Sequence, residues 1–129
     1  MTWTIRWFLE AQNDFLALEK RQQLLATRAV QERLMVAPDQ YGEPCRDLDQ
    51  IPLEGTWKLR LSSLRIVYLL SLPEADPPTV VILAIGARSD KKVYKKAAQR
   101  ITIWRKKVNS EAKEVEELLH NFFVKKRNK

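Results

Sequence analysis

The sequence predicts an α+β domain: a small antiparallel sheet with an N-terminal strand, packed on two N-terminal helices and followed by C-terminal helices. Three observations indicate this class. The segment TWTIRWF alternates apolar and polar residues, as a half-buried strand does. A helical pattern then extends from about residue 11 to residue 36 without Gly or Pro. Segments 57–68 and 79–87 are rich in the branched and large apolar residues that favour strands.

The predicted N-terminal strand places Trp3, Ile5 and Trp7 on one face. In the helical segment, apolar residues recur at steps of three and four: Phe15, Leu18, Leu24, Leu25, Ala29, Val30, Leu34 and Met35. A mean helix has about 11–12 residues, so we expect two packed helices with a bend near residues 20–22. Pro38 is expected to end the second helix, before a polar surface connection that extends to Gly55.

Composition excludes several classes of protein. At 129 residues the chain is long enough for one modest core. The single cysteine, Cys45, cannot form an internal disulfide, which favours a reducing cytoplasmic location. With one cysteine and one histidine, no Cys/His zinc site is possible, and we expect neither metal nor cofactor. No apolar segment approaches the roughly 20 residues that span a bilayer, and the N-terminus does not resemble a secretory signal.

Positive charge is concentrated near the C-terminus. The formal net charge is +7, and residues 91–129 hold 13 of the 23 Lys and Arg residues but only 4 of the 16 acidic residues. That segment therefore carries a balance of +9, whereas the first 90 residues carry −2. Such a distribution favours a polyanion such as RNA or DNA, or an acidic partner, as the ligand. A solvated basic tail is the structural alternative.

The segment WKLRLSSLRIVY (57–68) is predicted to form a β-hairpin with its turn at Ser62 and Ser63. This register pairs Arg60 with Arg65, and one face is then entirely apolar or aromatic: Trp57, Leu59, Leu61, Leu64, Ile66 and Tyr68. The other face carries Lys58, Arg60, Ser62, Ser63, Arg65 and Val67. A slip of one residue would mix the two sets. We expect the apolar face to pack on the N-terminal helices.

The cationic face of the hairpin requires an explanation. Like charges directly opposite each other, as at Arg60 and Arg65, cost roughly 0.2–1 kcal/mol of stability. The pattern leaves two explanations open. The face binds an anion, or the two arginines stack or find separate carboxylates.

The next strand, TVVILAIGA, is apolar at nearly every position and is expected to be covered on both faces. It leads to Arg88 and then to a helix with Asp90 as its expected N-cap and Tyr94 in its first turns. One stripe of that helix is apolar: Val93, Ala97, Ile101, Trp104 and Val108. A last helix is predicted from Asn109 or Ser110, so we divide the chain into a domain at 1–108 and a basic helical extension at 109–129. This extension could pack on the core, bind a partner or pair two subunits.

Taken together, the hairpin WKLRLSSLRIVY, the strand ending IGAR and Tyr94 six residues after Arg88 resemble the RelE branch of the RelE/ParE toxin superfamily. The order of elements agrees over residues 3–101. The resemblance implies a cytoplasmic toxin that a cognate antitoxin neutralises, in a toxin–antitoxin hetero-oligomer. It also implies a ribosome-dependent, metal-independent endoribonuclease that cleaves mRNA in the A site and so inhibits translation.

Matched position by position, the resemblance assigns the catalytic roles to Lys58, Arg65, Arg88 and Tyr94. The basic residues expected to contact RNA around them are Arg60, Lys91, Lys92 and Lys95. The chain departs from the family pattern at Thr56, where the best-known members carry a second lysine. It also continues beyond the point where typical members end.

Cleavage by attack of a ribose 2′-OH on phosphorus needs a base, an acid and charge stabilisation. Arg65 and Arg88 are expected to clamp the phosphate through the bidentate geometry of guanidinium groups. Lys58 and Tyr94 would share the proton transfers, because nearby cations favour a neutral lysine and an anionic tyrosine. The one histidine, His120, is expected to be a packing or surface residue in the last helix.

Two other functions remain open from the sequence. A ParE-like toxin has the same fold without the nuclease and acts on DNA gyrase through protein contacts; Thr56 favours it, and Arg88 with Tyr94 oppose it. The other alternative is a non-enzymatic RNA-binding or ribosome-binding module that uses the basic sheet and the extension.

Overall fold

The computed structural model describes residues 2–48, 50–71, 74–87 and 91–109, with side chains as far as residue 105 in the last segment. Four features of the sequence interpretation lie outside the described residues. They are Arg88, the expected cap Asp90, the helix predicted from Asn109 or Ser110, and His120 within it.

The described chain forms five strands and four α-helices. In chain order these are β1 (Thr4–Trp7), α1 (Leu9–Leu16), α2 (Lys20–Ala29), α3 (Pro38–Tyr41), β2 (Glu43–Pro44), β3 (Trp57–Leu61), β4 (Leu64–Leu70), β5 (Thr79–Ala87) and α4 (Lys92–Asn109). A π-helical turn at Val30–Leu34 continues α2. None of the helices in the described segments is both long enough and apolar enough to cross a membrane.

The strands form one sheet in the order β1-β5-β4-β3-β2, which confirms the predicted α+β class. The pairs β5–β4, β4–β3 and β3–β2 are antiparallel, as expected. The pair β1–β5 is parallel, with Thr4 opposite Thr79. No hairpin joins these two strands, so their connection does not impose the antiparallel direction that a short turn imposes.

The predicted hairpin register is confirmed. In the β3–β4 pair Arg60 lies opposite Arg65 and Lys58 lies opposite Val67. Ser62 adopts a φ of 37°, the sign that the tight turns of twisted hairpins require. The apolar face is buried as expected, with Leu59, Leu61, Leu64, Ile66 and Tyr68 all less than 5% exposed. This face packs against the N-terminal helices.

The two N-terminal helices are confirmed, and the break between them falls at residues 17–19, slightly before the expected bend. Glu19 and Gln22 form a capping box that starts α2 at Lys20. The expectation for Pro38 is wrong: the preceding helical segment ends at Leu34, and Pro38 opens α3. The first turn of a helix tolerates proline because its missing N–H would have no helical partner there.

Two core layers sandwich β5, as predicted from its apolar sequence. Val80, Ile82 and Ile85 belong to the layer under α1 and α2. Val81, Leu83 and Ala84 belong to the layer under α4. On α4 the predicted stripe is confirmed as far as side chains are described, with Val93, Ala97 and Ile101 buried and Trp104 half-buried.

An ion pair covers the part of β5 that extends beyond β1. The β1–β5 pairing ends at Ile82. Beyond it, Arg100 donates from Nη1 to the Leu83 carbonyl at 2.8 Å, and the Ile85 amide donates to Asp14 Oδ2 at 3.3 Å. Arg100 and Asp14 also bond to each other at 2.7 Å, and the Asp14 side chain is only 7% exposed. The pair therefore satisfies backbone groups that a longer β1 would satisfy.

Candidate nucleic-acid site

The sheet brings three cations together because β3 and β4 present alternate side chains to the face that α4 partly covers. Lys58 and Arg60 come from β3, and Arg65 comes from β4. Val67, between them on this face, is fully buried in the layer under α4. The first turn of α4 therefore lies close to the cations and supplies Tyr94.

Three of the four residues predicted to be catalytic meet at this point. The Lys58 Nζ lies 5.8 Å from the centroid of the Tyr94 ring, a cation–π distance. The charge of Arg65 acts on the Tyr94 phenol, which places its guanidinium near the ring. Arg65 is also held by the Leu64 carbonyl, to which its Nη1 donates at 2.8 Å. We call Lys58, Arg65 and Tyr94 the tyrosine cluster.

The electrostatics of Tyr94 differ from our expectation. Burial raises the pKa of the Tyr94 phenol above its ordinary value, although the charges of Arg65 and Arg60 act in the opposite direction. The sequence argument predicted a lowered pKa, and for Tyr94 that prediction is wrong because burial outweighs the cations. Tyr94 therefore keeps its proton at neutral pH, which suits a proton donor better than a proton acceptor.

Arg60 lies near the tyrosine cluster but has its own carboxylate. Its Nε lies 2.8 Å from Glu43 Oε2, and both side chains are about half exposed. The expectation of separate carboxylates therefore holds for Arg60, whereas Arg65 donates to a backbone carbonyl instead. An exposed pair of this kind contributes about 1 kcal/mol or less, so an RNA phosphate could replace Glu43 at small cost.

The other residues predicted to contact RNA lie at the beginning of α4. Lys91, Lys92 and Lys95 are exposed on the segment that carries Tyr94. They extend the cationic surface from the sheet onto the helix. Their contact with RNA stays a prediction.

Thr56 has an internal role. It is 1% exposed, its Oγ1 donates to the Leu53 carbonyl at 2.7 Å, and its own carbonyl accepts from the Cys45 amide at 2.9 Å. Burial raises the pKa of the Cys45 thiol. The position at which relatives carry a second lysine is therefore part of the packed interior here.

A pocket of about 340 Å³ adjoins the tyrosine cluster, and sequence reasoning missed it. Lys58 and Tyr94 form part of its wall, β2 supplies Glu43, and the connection after β2 supplies Cys45 and Asp47. This connection returns to the sheet because β2 pairs Glu43 with Lys58. A strand of two residues gives no periodic signal, so nothing in the sequence indicated that these polar residues lie beside Lys58. In the described part of the chain, no three His, Cys, Asp or Glu side chains group as a metal site would require.

Comparison with known proteins agrees with the fold. The model of the ParE toxin of type II toxin–antitoxin systems matches residues 5–92. The toxin–antitoxin complex RelBE2 of Mycobacterium tuberculosis contains a chain that is 26% identical, with a TM-score of 0.58 over 68% of this chain and 100% of that one. An arginine double mutant of the E. coli toxin RelE is 19% identical, with a TM-score of 0.56 over 78% of this chain and 99% of that one. No curated protein matches the sequence. The chain belongs to the ParE toxin family of type II toxin–antitoxin systems, within the RelE/ParE superfamily.

Proposed function

We propose that this toxin is a metal-independent endoribonuclease that cleaves mRNA in the ribosomal A site and thereby stops translation. The observation that carries the proposal is the tyrosine cluster, which joins Lys58 and Arg65 of the sheet to Tyr94 of α4. A surface that only needed positive charge would not require a half-buried phenol between its cations.

The cluster can stabilise the charge that develops on a phosphate. Arg65 presents a guanidinium that the Leu64 carbonyl already holds in place, so little reorganisation is needed when an anion binds. Guanidinium groups match phosphate oxygens in bidentate geometry. Arg88 is proposed as the second clamp, on the basis of the family resemblance.

The proton transfers can be assigned from the protonation of Tyr94. The ribose 2′-oxygen attacks phosphorus, the bond to the 5′-oxygen breaks, and a 2′,3′-cyclic phosphate forms. Because its pKa is raised, Tyr94 holds a proton that it can give to the departing 5′-oxygen. Lys58 is the proposed acceptor of the 2′-OH proton as the 2′-oxygen attacks. The ribosome would hold the mRNA in line for this attack, which supplies part of the rate through orientation.

An antitoxin is the proposed protein partner. The chain similar to this one in RelBE2 belongs to a toxin–antitoxin complex. The net charge of +7 favours an acidic partner, since complementary charge steers association. We therefore expect a toxin–antitoxin hetero-oligomer.

A translation reaction with purified ribosomes tests the proposal. The 3′ ends of the mRNA are mapped after the toxin is added and again after the antitoxin encoded beside it is added. The proposal expects truncated mRNA within the A-site codon, and protection when the antitoxin is present. Inhibited translation with intact mRNA would contradict cleavage and would favour a ribosome-binding module.

A second candidate function has one observation in its favour. The family model that matches this chain is that of the ParE toxin, and a ParE-like toxin would act on DNA gyrase without cutting RNA. A supercoiling assay with purified gyrase separates the two functions. Loss of supercoiling together with intact mRNA would establish the gyrase function and overturn the nuclease proposal.

A further inference from the structure

We propose that the pocket beside the tyrosine cluster takes the nucleobase next to the scissile phosphate, and that it favours bases with an amino group over uracil. This inference rests on the proposed ribonuclease function and assigns a specificity to the same site. The pocket lies between the connection that follows β2, the strand β3 and the first turn of α4.

Its size and walls suit a flat heterocycle. A volume of about 340 Å³ is at the lower end of the range of about 300–1,000 Å³ found for small-ligand sites. The Tyr94 ring, Pro44 and Leu53 supply aromatic and apolar surface. Aromatic side chains are common stacking platforms for unpaired bases. The backbone at Cys45, which lines the pocket, is held in place because the Cys45 amide donates to the carbonyl of the buried Thr56 at 2.9 Å.

Its position joins it to the proposed chemistry. Lys58 and Tyr94 belong both to the tyrosine cluster and to the pocket wall. A phosphate bound at the cluster therefore brings an attached nucleotide to the mouth of the pocket. The phosphate and the base of one nucleotide can therefore bind at adjoining parts of the same site.

The charges that line the pocket suit a neutral base better than a phosphate. Glu43 and Asp47 place two carboxylates in its lining. Arg46 and Lys58 also line the pocket, so the lining holds two charges of each sign. A phosphate gains no net attraction inside the pocket, whereas Arg65 attracts one to the cluster. The neutral base, rather than the charged backbone, is thus the part of RNA that suits the pocket.

Asp47 can read the edge of the base. Its Oδ1 accepts hydrogen bonds from the Leu53 amide at 2.8 Å and the Glu54 amide at 3.1 Å, which fix the carboxylate in one position. An ionised carboxylate only accepts hydrogen bonds, so it favours the amino groups of guanine, adenine and cytosine. Uracil has no amino group, and its carbonyl oxygens would meet a carboxylate unfavourably.

The test measures binding of the 3′-monophosphates of guanosine, adenosine, cytidine and uridine to the full chain, by calorimetry and NMR titration. The wild type is expected to bind the three nucleotides with amino groups about tenfold more tightly than 3′-UMP, the difference that one hydrogen bond to a charged group supplies. In Asp47→Asn the side-chain oxygen can still accept from the two amides, but an NH₂ group replaces the other carboxylate oxygen. The preference should then disappear or turn toward 3′-UMP.

Two further variants make the result specific. Asp39→Asn changes the same functional group in α3, outside the pocket lining, and should leave the preference unchanged. Glu43→Gln removes the other carboxylate without touching the amides that Asp47 holds, so it should weaken the preference even if Asp47→Asn fails to fold. Equal affinities for all four nucleotides in the wild type, or no measurable binding of any, overturn the proposal whether or not the chain cleaves mRNA. A base preference in a chain that leaves mRNA intact upholds the pocket while the nuclease proposal fails.

Discussion

At the scale of single residues, the environment of Thr56 determines what this chain can carry at the start of β3. Thr56 is 1% exposed and donates to the Leu53 carbonyl at 2.7 Å. A lysine at this position would put a charge into the packed interior, where desolvation of the ammonium group is costly.

We predict that Thr56→Lys lowers the free energy of unfolding by about 3 kcal/mol or more, as an unpaired buried charge does. Thr56→Val keeps the volume and loses only the hydrogen bond, so it should cost about 1 kcal/mol. Urea unfolding at pH 7 measures both. If the lysine variant were as stable as the valine variant, Thr56 would not be an interior position in solution.

Tyr68 offers a second residue-scale prediction. Its buried hydroxyl donates to the Pro38 carbonyl at 2.7 Å, and burial, followed by the charges of Cys45 and Asp39, raises its pKa strongly. A raised pKa favours the protonated form in the folded state. This stabilisation is therefore complete below about pH 10, the ordinary pKa of tyrosine, and is lost as pH rises toward the folded-state value.

We predict that Tyr68→Phe costs about 1 kcal/mol at pH 7, where it loses one hydrogen bond. Between pH 10 and pH 11 the variant should lose less stability than the wild type, because it has no phenol at this position to ionise. Thermal unfolding across this range measures the difference. Parallel losses in both proteins would show that ionisation of Tyr68 does not limit alkaline stability.

Gly42 lies against the Tyr68 hydroxyl. A Cβ at this position would overlap the Tyr68 hydroxyl and also approach the Lys58 carbonyl. We predict that Gly42→Ala costs about 1–3 kcal/mol through overpacking, and clearly less in a Tyr68→Phe background, where the clashing oxygen is absent. A double-mutant cycle, measured by urea unfolding, gives the coupling free energy between positions 42 and 68. If the losses of the two single variants simply added in the double variant, Gly42 and the Tyr68 hydroxyl would not be in contact.

At the scale of elements, the pair of Asp14 and Arg100 ties α1 and α4 to the edge of β5 that β1 leaves uncovered. The Oδ1 of Asp14 also lies 3.6 Å from the Nζ of Lys96, whose side chain is half exposed. We predict that Asp14→Ala costs about 3–5 kcal/mol, because it leaves Arg100 without its partner in a largely buried position. Lys96→Ala should change stability by about 1 kcal/mol or less. Urea unfolding measures both variants. If they lost comparable stability, the Asp14–Arg100 pair would not be the stronger of the two interactions of Asp14.

Elements with a strong pattern could be predicted from the sequence. The hairpin register followed from one fully apolar face, since any slip would have moved charges such as Arg60 into the core. The burial of β5 on both faces followed from its apolar sequence. The break between α1 and α2 was placed within a few residues, because the capping box at Glu19 is a weaker signal than the apolar period.

What the sequence could not show depends on contacts between distant segments. The pairing of Glu43 with Lys58, the burial of Val67 under α4, and the pocket at Asp47 all arise where the β2–β3 connection and α4 meet the sheet. The raised pKa of Tyr94 has the same origin. Counting nearby cations predicted its direction wrongly, because the burial that decides it comes from tertiary packing.

At the scale of the whole molecule, the concentration of charge predicts strong salt dependence. The exposed Lys91, Lys92 and Lys95 continue the cationic face of the sheet. We predict that changing all three to glutamine weakens binding to single-stranded RNA and lowers the slope of log affinity against log salt by about 2, since each lost phosphate contact contributes about 0.7.

The matched control is the triple glutamine variant of Lys20, Arg21 and Arg28, which removes the same charge from exposed positions on α2. Its salt slope should remain close to that of the wild type. Equal reductions in the two triple variants would mean that net charge alone, and not the surface around Tyr94, determines RNA affinity.

The measurement that tests the account most directly is the rate of mRNA cleavage on the ribosome by Tyr94→Phe. This change keeps the ring over which Lys58 lies and removes only the hydroxyl proposed as proton donor. We predict a rate lower by a factor of about 10²–10⁴, the usual contribution of a general acid, with ribosome binding retained. Tyr41→Phe, at an exposed tyrosine of α3, should cleave at the wild-type rate. Undiminished cleavage by Tyr94→Phe would contradict the assignment of the tyrosine cluster as the catalytic centre.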